Sequence, residues 1–397
     1  MKHNERIEVV LHPSLGNQLG SWNQYQAYYA MGLSMLPHVQ FRYASLVDRT
    51  LASVRARGWR GAYAGWRLAA KFNADLRYER ATFVGRYTIQ FPDREAPVRV
   101  AIDAHDDRSI RDPEAYDWSD VYFKVSHWPS LDYGPKAQPL ICGNGALNHE
   151  RIARLIRLRN QPRDLDLVFI AKLWAGHPGA TFWNSIEHVV RTFETLAKLK
   201  IRSHLRATVM PLGRPFPRRF LERLSNAGVP VTTNEVTVDE LWNVTSASRL
   251  AFLRPGRHLG VSWRMIDHLA MGACTVFDHA PYPEWPVALQ AGREFMDCEC
   301  GMGMDDSLHD PACYERMADT VMALLADPER VAESRRAAAA YFDQHVAPER
   351  IAQYLLDAVR SPAKDEARLR PRQPDASHRS AQRGQSAGRR AQEWDAA

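Results

Sequence analysis

"RLAFLRPGRHLGVSWRMIDHLAMGACTVFD", residues 249–278, is the stretch that decides the fold. An apolar run ends at Leu253, a loop with glycines and cations follows, a helical period closes on Gly272, and a second apolar run begins. Strand, loop, helix and strand in that order form the repeating unit of a parallel sheet, whose ligands gather beyond the carboxyl ends of the strands. Arg254, Gly256 and Arg257 fall at that end, and Arg264 lies in the first turn of the expected helix. Ser262 is placed to cap the helix, and Gly256 permits close backbone approach. A helix N-terminus flanked by guanidinium groups is suited to an anion.

The same alternation extends outward from this unit. Upstream, "RDLDLVFIAKLW" reads as a buried strand. It is followed by helix "FWNSIEHVVRTFETLAKLKIRS", strand "RATVMPL", helix "RRFLERLSNAG", strand "VPVTTN" and helix "TVDELWNVTSAS". Downstream, "ERMADTVMALLADPERVAESRRAAAAYFDQHV" reads as one long helix and "PERIAQYLLDAV" as the last. Such alternation predicts a parallel, right-handed doubly wound sheet. The first half begins with strand "RIEVVLH", the turn-forming "PSLGNQLG" and a helical "SWNQYQAYYAMGLSM". Further strands are expected at "RYTIQF", "VRVAIDAHD", "SDVYFKVSHW" and "PLICGNG", with a helix or linker at "NHERIARLIRLRNQP".

The chain has 397 residues, 45% hydrophobic and 25% charged, more than one core usually supports, so two domains are expected, 1–160 and 161–360. Residues 361–397 carry eight Lys/Arg and five Asp/Glu in a Ser-, Gln-, Gly-, Pro- and Ala-rich context, and read as a disordered tail. No apolar run reaches the length of a membrane span and no signal-peptide pattern opens the chain; a cytoplasmic protein is the expectation. Five cysteines, odd in number and sparse, fit a reducing compartment.

The net charge of +6 invites a nucleic-acid reading, but no reader motif accompanies it, and no nucleic-acid partner is expected. The basic excess concentrates in residues 49–80, where eight Lys/Arg interleave with Trp59, Tyr63, Trp66 and Phe72. That segment is a candidate for peripheral contact with an anionic membrane surface or a charged acceptor; the plainer reading is a solvated helix face.

The segment "LRPGRHLGVSWRMIDHLAMGACTVFD" resembles the donor-binding segment of the GT-B glycosyltransferases, and "RPG…S.R..D.LA.GA..V" is similar to the corresponding part of exostosin-like members. "VMALLADPERVAESRRAAAAYF" is similar to the helical end of bacterial group 1-like members. The resemblance covers residues 165–360 and implies two Rossmann-like domains facing a cleft. An N-terminal acceptor domain would face a C-terminal domain that binds the nucleotide sugar. It implies a hexosyltransferase-type enzyme of polysaccharide biosynthesis, acting on a glycan, lipid-linked or small-molecule acceptor. No cofactor beyond the donor substrate is implied. Where many retaining members carry Glu-x7-Glu, this chain has Asp267 preceded, eight residues earlier, by Leu259. No DxD motif is present, so a metal-independent enzyme is expected.

Transfer from a nucleotide sugar needs the leaving diphosphate neutralised, and without a metal that falls to cationic side chains and helix amides. Lys172, Arg254, Gly256, Arg257, Ser262 and Arg264 are the candidate donor-binding residues, with Asp267 for a ribose or sugar hydroxyl. An inverting enzyme also needs a base near the acceptor. The candidates are Asp103, His105 and Asp106 in "AIDAHDD" and His12 after the first strand, with His127 also considered. Each aspartate has a competing role as a turn or cap residue. Cys298, Cys300, His309 and Cys313 are the residues a zinc ion could use, but the Cys-x-Cys pair is tighter than usual ligand spacing, so no metal site is expected. The rival function is a non-catalytic GT-B-like or Rossmann-type binding subunit of a polysaccharide assembly complex.

Overall fold

A computed structural model describes residues 6–12, 23–44, 84–174, 186–210, 216–255, 260–279, 284–300 and 312–361. The basic segment 49–80, the loop residues Gly256 and Arg257, His309 and the tail beyond Ser361 lie outside the described residues. The chain is α/β, and the described residues form two six-stranded sheets within one compact unit, Met1–Arg360. No helix among the described residues is long and apolar enough to cross a membrane.

The second sheet contains β7 (Leu165–Trp174), β8 (Ser203–Met210), β9 (Val231–Thr232), β10 (Ser248–Leu253), β11 (Cys274–Phe277) and β12 (Met296–Asp297). Their spatial order is β12-β11-β10-β7-β8-β9, and every pairing is parallel. Between these strands run α4 (Ile186–Ala197), α5 (Arg218–Asn226), α6 (Val238–Ser246) and α7 (Arg264–Ala270). This is the doubly wound order in which the chain builds outward from β7 in one direction and from β10 in the other. The switch point, and hence the expected ligand crevice, lies between the carboxyl ends of β7 and β10.

The first sheet has the order β2-β1-β3-β4-β5-β6, from β1 (Ile7–His12), β2 (Val39–Tyr43), β3 (Val84–Gln90), β4 (Val98–Asp103), β5 (Val121–Lys124) and β6 (Ala137–Pro139). Its outer pairs are parallel, but β3 is inserted antiparallel between β1 and β4. The expected strand at "PLICGNG" is displaced: the short β6 precedes it, and Leu140, Ile141 and Cys142 are buried without strand structure. Strand-like apolarity there reports burial, which periodicity does not distinguish from pairing. Among the described residues, the helices of this half are α1 (Asn23–Met35) and α2 (Pro113–Trp118), and α3 (His149–Leu158) connects the two sheets.

The long helix expected near the end is interrupted. Asp327 caps α9 (Pro328–Tyr341) by accepting from the Arg330 amide, with Pro328 in the first turn, so α8 (Cys313–Ala326) stops before it. An Asp-Pro pair inside a helical period is a start signal that composition alone conceals. A π turn, Phe342–Val346, then leads into α10 (Pro348–Arg360).

Although α10 closes the segment expected as the second domain, it packs on α1 of the first half. The Tyr28 hydroxyl donates to the Val346 carbonyl at 2.9 Å, and Tyr354 donates to the Pro139 carbonyl at 3.1 Å. At the crossing of α1 with the start of α10, a Cβ built on Gly32 would lie 2.0 Å from the Pro348 carbonyl oxygen, so no larger residue fits. One apolar cluster runs from Val9, Tyr29 and Phe123 through Ile351 and Leu355 to Ile170, Leu253 and Ile266, joining both sheets.

Candidate functional site

The cations sought in the sequence sit at the switch point. Lys172 is near the carboxyl end of β7, Arg254 directly follows β10, and Arg264 opens α7. Lys172 Nζ lies 2.9 Å from Glu235 Oε1, in a half-open ion pair. Arg264 donates to the Ile170 carbonyl of β7 at 3.0 Å, feels the charge of Glu235 as well as Asp267, and is shifted down in pKa chiefly by burial. Glu235 therefore stands beside two of the three cations. Arg254 is largely buried, with Nε 3.8 Å from Asp278 Oδ2; burial pulls its pKa down and Asp278 pushes it up.

The helix after the loop is shorter than expected. It spans Arg264–Ala270, its N-cap position is Trp263, and no side chain caps it. Ser262 Oγ accepts from the Arg264 amide at 3.4 Å, while the Met265 and Ile266 amides donate to the carbonyls of Ser262 and Trp263. Those amides are engaged inside the turn. The helix ends as the sequence implies: Gly272 has φ +58°, a left-handed conformation that favours glycine.

Asp267 does not face the rim. It is buried at 1% exposure and bridges the two halves: Asn144 Nδ2 donates to Oδ1 at 2.6 Å, and Trp242 Nε1 donates to Oδ2 at 2.9 Å. Burial raises its pKa to about 7, against the opposing pull of Trp242, Asn144 and Arg264. A folded-state pKa above the unfolded value means that the stability it contributes is complete below pH ~4 and is lost as pH rises through about 7. Denaturant titrations at constant salt should find the native chain less stable at pH 8 than at pH 5.5, with a flatter profile in Asp267→Asn. Identical profiles would show that Asp267 does not titrate in this range.

In the first half, His12 and the "AIDAHDD" residues share one edge of the sheet, at the ends of β1 and β4. His12 Nε2 lies 2.8 Å from Thr88 Oγ1 of β3. Asp103 is fully buried: Oδ1 accepts from the His105 amide at 2.9 Å, and Oδ2 accepts from the Tyr122 hydroxyl at 2.7 Å with Lys124 Nζ at 3.2 Å. It anchors the turn on which His105 rides. His105 Nδ1 lies 3.6 Å from Asp106 Oδ1, and both residues keep exposed surface, Asp106 more than half of its side chain. His127, in the loop after β5, has its carbonyl bonded to the Glu284 amide of the second half at 2.7 Å. Burial and the Lys124 charge lower its pKa to about 4, so the ring is neutral at pH 7.

Other polar partners escaped the sequence reading. Asn144, Trp242, Lys124 and Tyr122 complete buried networks, and His188 joins Asp278 beneath the rim, its Nε2 2.9 Å from Oδ2. The detectable signal for His188 is an imidazole on the apolar face of α4, in register with Val189, Val190 and Phe193. The described cysteines, Cys142, Cys274, Cys298, Cys300 and Cys313, are buried and free, and among the described residues no three His, Cys, Asp or Glu side chains are grouped as metal ligands.

No protein-family model matches the chain, and no curated protein matches it. Among solved structures, a glycosyltransferase from Rickettsia africae is similar over 90% of this chain and 98% of its own, at 12% identity and TM-score 0.45. HepE from Anabaena, solved with UDP and glucose, is similar over 89% of this chain and 99% of its own, at 10% identity and TM-score 0.45. MurG from Acinetobacter baumannii matches over 89% of this chain and 99% of its own, at 12% identity and TM-score 0.40.

Proposed function

We propose that the chain transfers a glycosyl group from a nucleoside-diphosphate sugar to a hydroxyl of a glycan, lipid-linked or small-molecule acceptor. The observation that carries this reading is the convergence of Lys172, Arg254 and Arg264 on the switch point of a doubly wound sheet. In the reaction the acceptor oxygen bonds to the anomeric carbon, and the bond from that carbon to the diphosphate oxygen breaks. Negative charge grows on the leaving diphosphate, and fixed cations in a poorly hydrated rim stabilise it more than they stabilise the intact donor. Gly256 and Arg257, in the same loop, belong to this reading on sequence grounds.

The acceptor proton needs a base on the first half. His105 with Asp106, His12, and the neutral His127 are the groups offered, whereas Asp103 is committed to Lys124 and Tyr122. The internal commitment of Asp103, a candidate base, favours one other reading, a non-catalytic GT-B-like or Rossmann-type binding subunit. The experiment that separates the two is a nucleotide-sugar panel scored for thermal stabilisation and for release of nucleoside diphosphate. Stabilisation with release supports the enzyme, stabilisation alone supports the binding subunit, and neither removes the donor-site reading.

Because cationic side chains supply the neutralisation, turnover is expected to survive EDTA unchanged. Abolition by EDTA, restored by manganese or magnesium, would replace this arrangement with a metal-assisted one.

A further inference from the structure

We infer that Asp278 and His188, both buried, and the partly buried Tyr314 form a positioning chain that orients the Arg254 guanidinium for a diphosphate anion, an inference that rests on the donor-site reading above. Three separate elements converge to make it: Asp278 follows β11, His188 lies in the first turn of α4, and Tyr314 in the first turn of α8. Asp278 and His188 have no exposed side-chain surface, and Arg254 has 12%. Polar groups are carried into such a place only where each finds a partner.

The hydrogen bonding runs in one direction. Asp278 Oδ1 accepts from the His279 amide at 2.9 Å, and Oδ2 lies 2.9 Å from His188 Nε2 and 3.8 Å from Arg254 Nε. A carboxylate accepts and does not donate, so the ring nitrogen facing Asp278, Nε2, carries a proton, an assignment inferred from the network. In the tautomer protonated at Nε2 alone, His188 Nδ1 accepts from the Tyr314 hydroxyl, which lies 3.0 Å away. Burial raises the Tyr314 pKa, which keeps that phenol protonated and a donor. The His188 carbonyl accepts from Thr192 Oγ1 at 2.9 Å within α4.

The consequence lies at the far end of the chain. A long arginine side chain has many rotamers, and two-pronged recognition of a phosphoryl group requires its plane to be set beforehand. The Asp278 carboxylate stands on the Nε side at 3.8 Å, a charge contact and not a hydrogen bond, and it draws the guanidinium towards that side only if its own two oxygens are held. The His279 amide and the His188 ring do this, with Tyr314 holding the ring. Asp278 also offsets the cost of burying the guanidinium before a donor arrives. The three residues are positioning residues, since none of them is placed to touch the reacting atoms.

The test titrates inorganic diphosphate, UDP, GDP and ADP into the full-length chain by calorimetry, without divalent ions, and follows melting of each variant. Asp278→Asn is expected to weaken diphosphate binding about tenfold, and Tyr314→Phe, which removes one neutral hydrogen bond, about threefold. His188→Gln, which keeps a donor towards Asp278, should bind better than His188→Leu at matched melting temperature. In turnover the donor KM should rise in these variants while the acceptor KM stays. If Asp278→Asn does not fold, Tyr314→Phe and the two His188 variants decide. Wild-type binding in the folded variants, with loss only in Arg254→Ala, would overturn this inference and leave the donor-site reading intact. Absence of any diphosphate binding by the wild-type chain would overturn both.

Discussion

Arg254→Ala is expected to raise the donor KM and lower kcat, a combined loss of about 2–4 kcal/mol in transition-state stabilisation, the size associated with removing one preorganised donor to developing charge. The acceptor KM should stay near its starting value, because the candidate acceptor-side groups His12, His105 and Asp106 lie at the first sheet while Arg254 follows β10 of the second. Arg254→Lys should recover part of the loss, since a point charge neutralises without reproducing the planar fork. Removing Arg254 also leaves Asp278 without its cation in a buried site, so some fall in melting temperature is expected alongside. The kinetic split carries the conclusion: a folded Arg254→Ala chain with unchanged donor KM and kcat would move the diphosphate elsewhere.

The largest effect on stability is expected at Lys124. This side chain is fully buried, directly opposite Asp103 in the β4–β5 register, with Nζ 3.2 Å from Asp103 Oδ2. Lys124→Met should destabilise the chain by about 3–5 kcal/mol, because a buried carboxylate loses its counter-ion. Asp103→Asn combined with Lys124→Met should regain most of that, since replacing both charges removes the uncompensated one. A second readout accompanies the first. The His127 pKa, held down partly by the Lys124 charge, should rise in Lys124→Met when its ring is followed by NMR. A double variant no more stable than the single one would show that packing around the ammonium stem, and not its charge, holds this corner.

The second sheet was legible because local signals agreed with the global arrangement. "LVFIAKLW" and "RLAFL" are apolar runs of strand length, and the stretches between them have helical period, so the doubly wound order followed from alternation. The break at Asp327-Pro328 was missed because the apolar period continues across it while the cap restarts the helix. The antiparallel β3 was equally hidden: strand direction depends on how the chain returns to the sheet, and residues 49–80 intervene between β2 and β3 without stating the return.

By itself the sequence determined which residue types arrive at the rim, because strand ends and the loops after them are set by local period and by glycine. Lys172, Arg254 and Arg264 stand where that reasoning put them. Only the tertiary structure decided which way the charged side chains turn. Asp267 faces inward because Asn144, 123 residues away, and Trp242 supply donors that water would otherwise replace. Asp103 is closed off by Lys124 and Tyr122 from the neighbouring strand, and Asp278 by His188 from a helix 90 residues earlier. A carboxylate's orientation follows from the partners that can compensate its burial. Those partners are brought near by the fold, and no local window of sequence contains them.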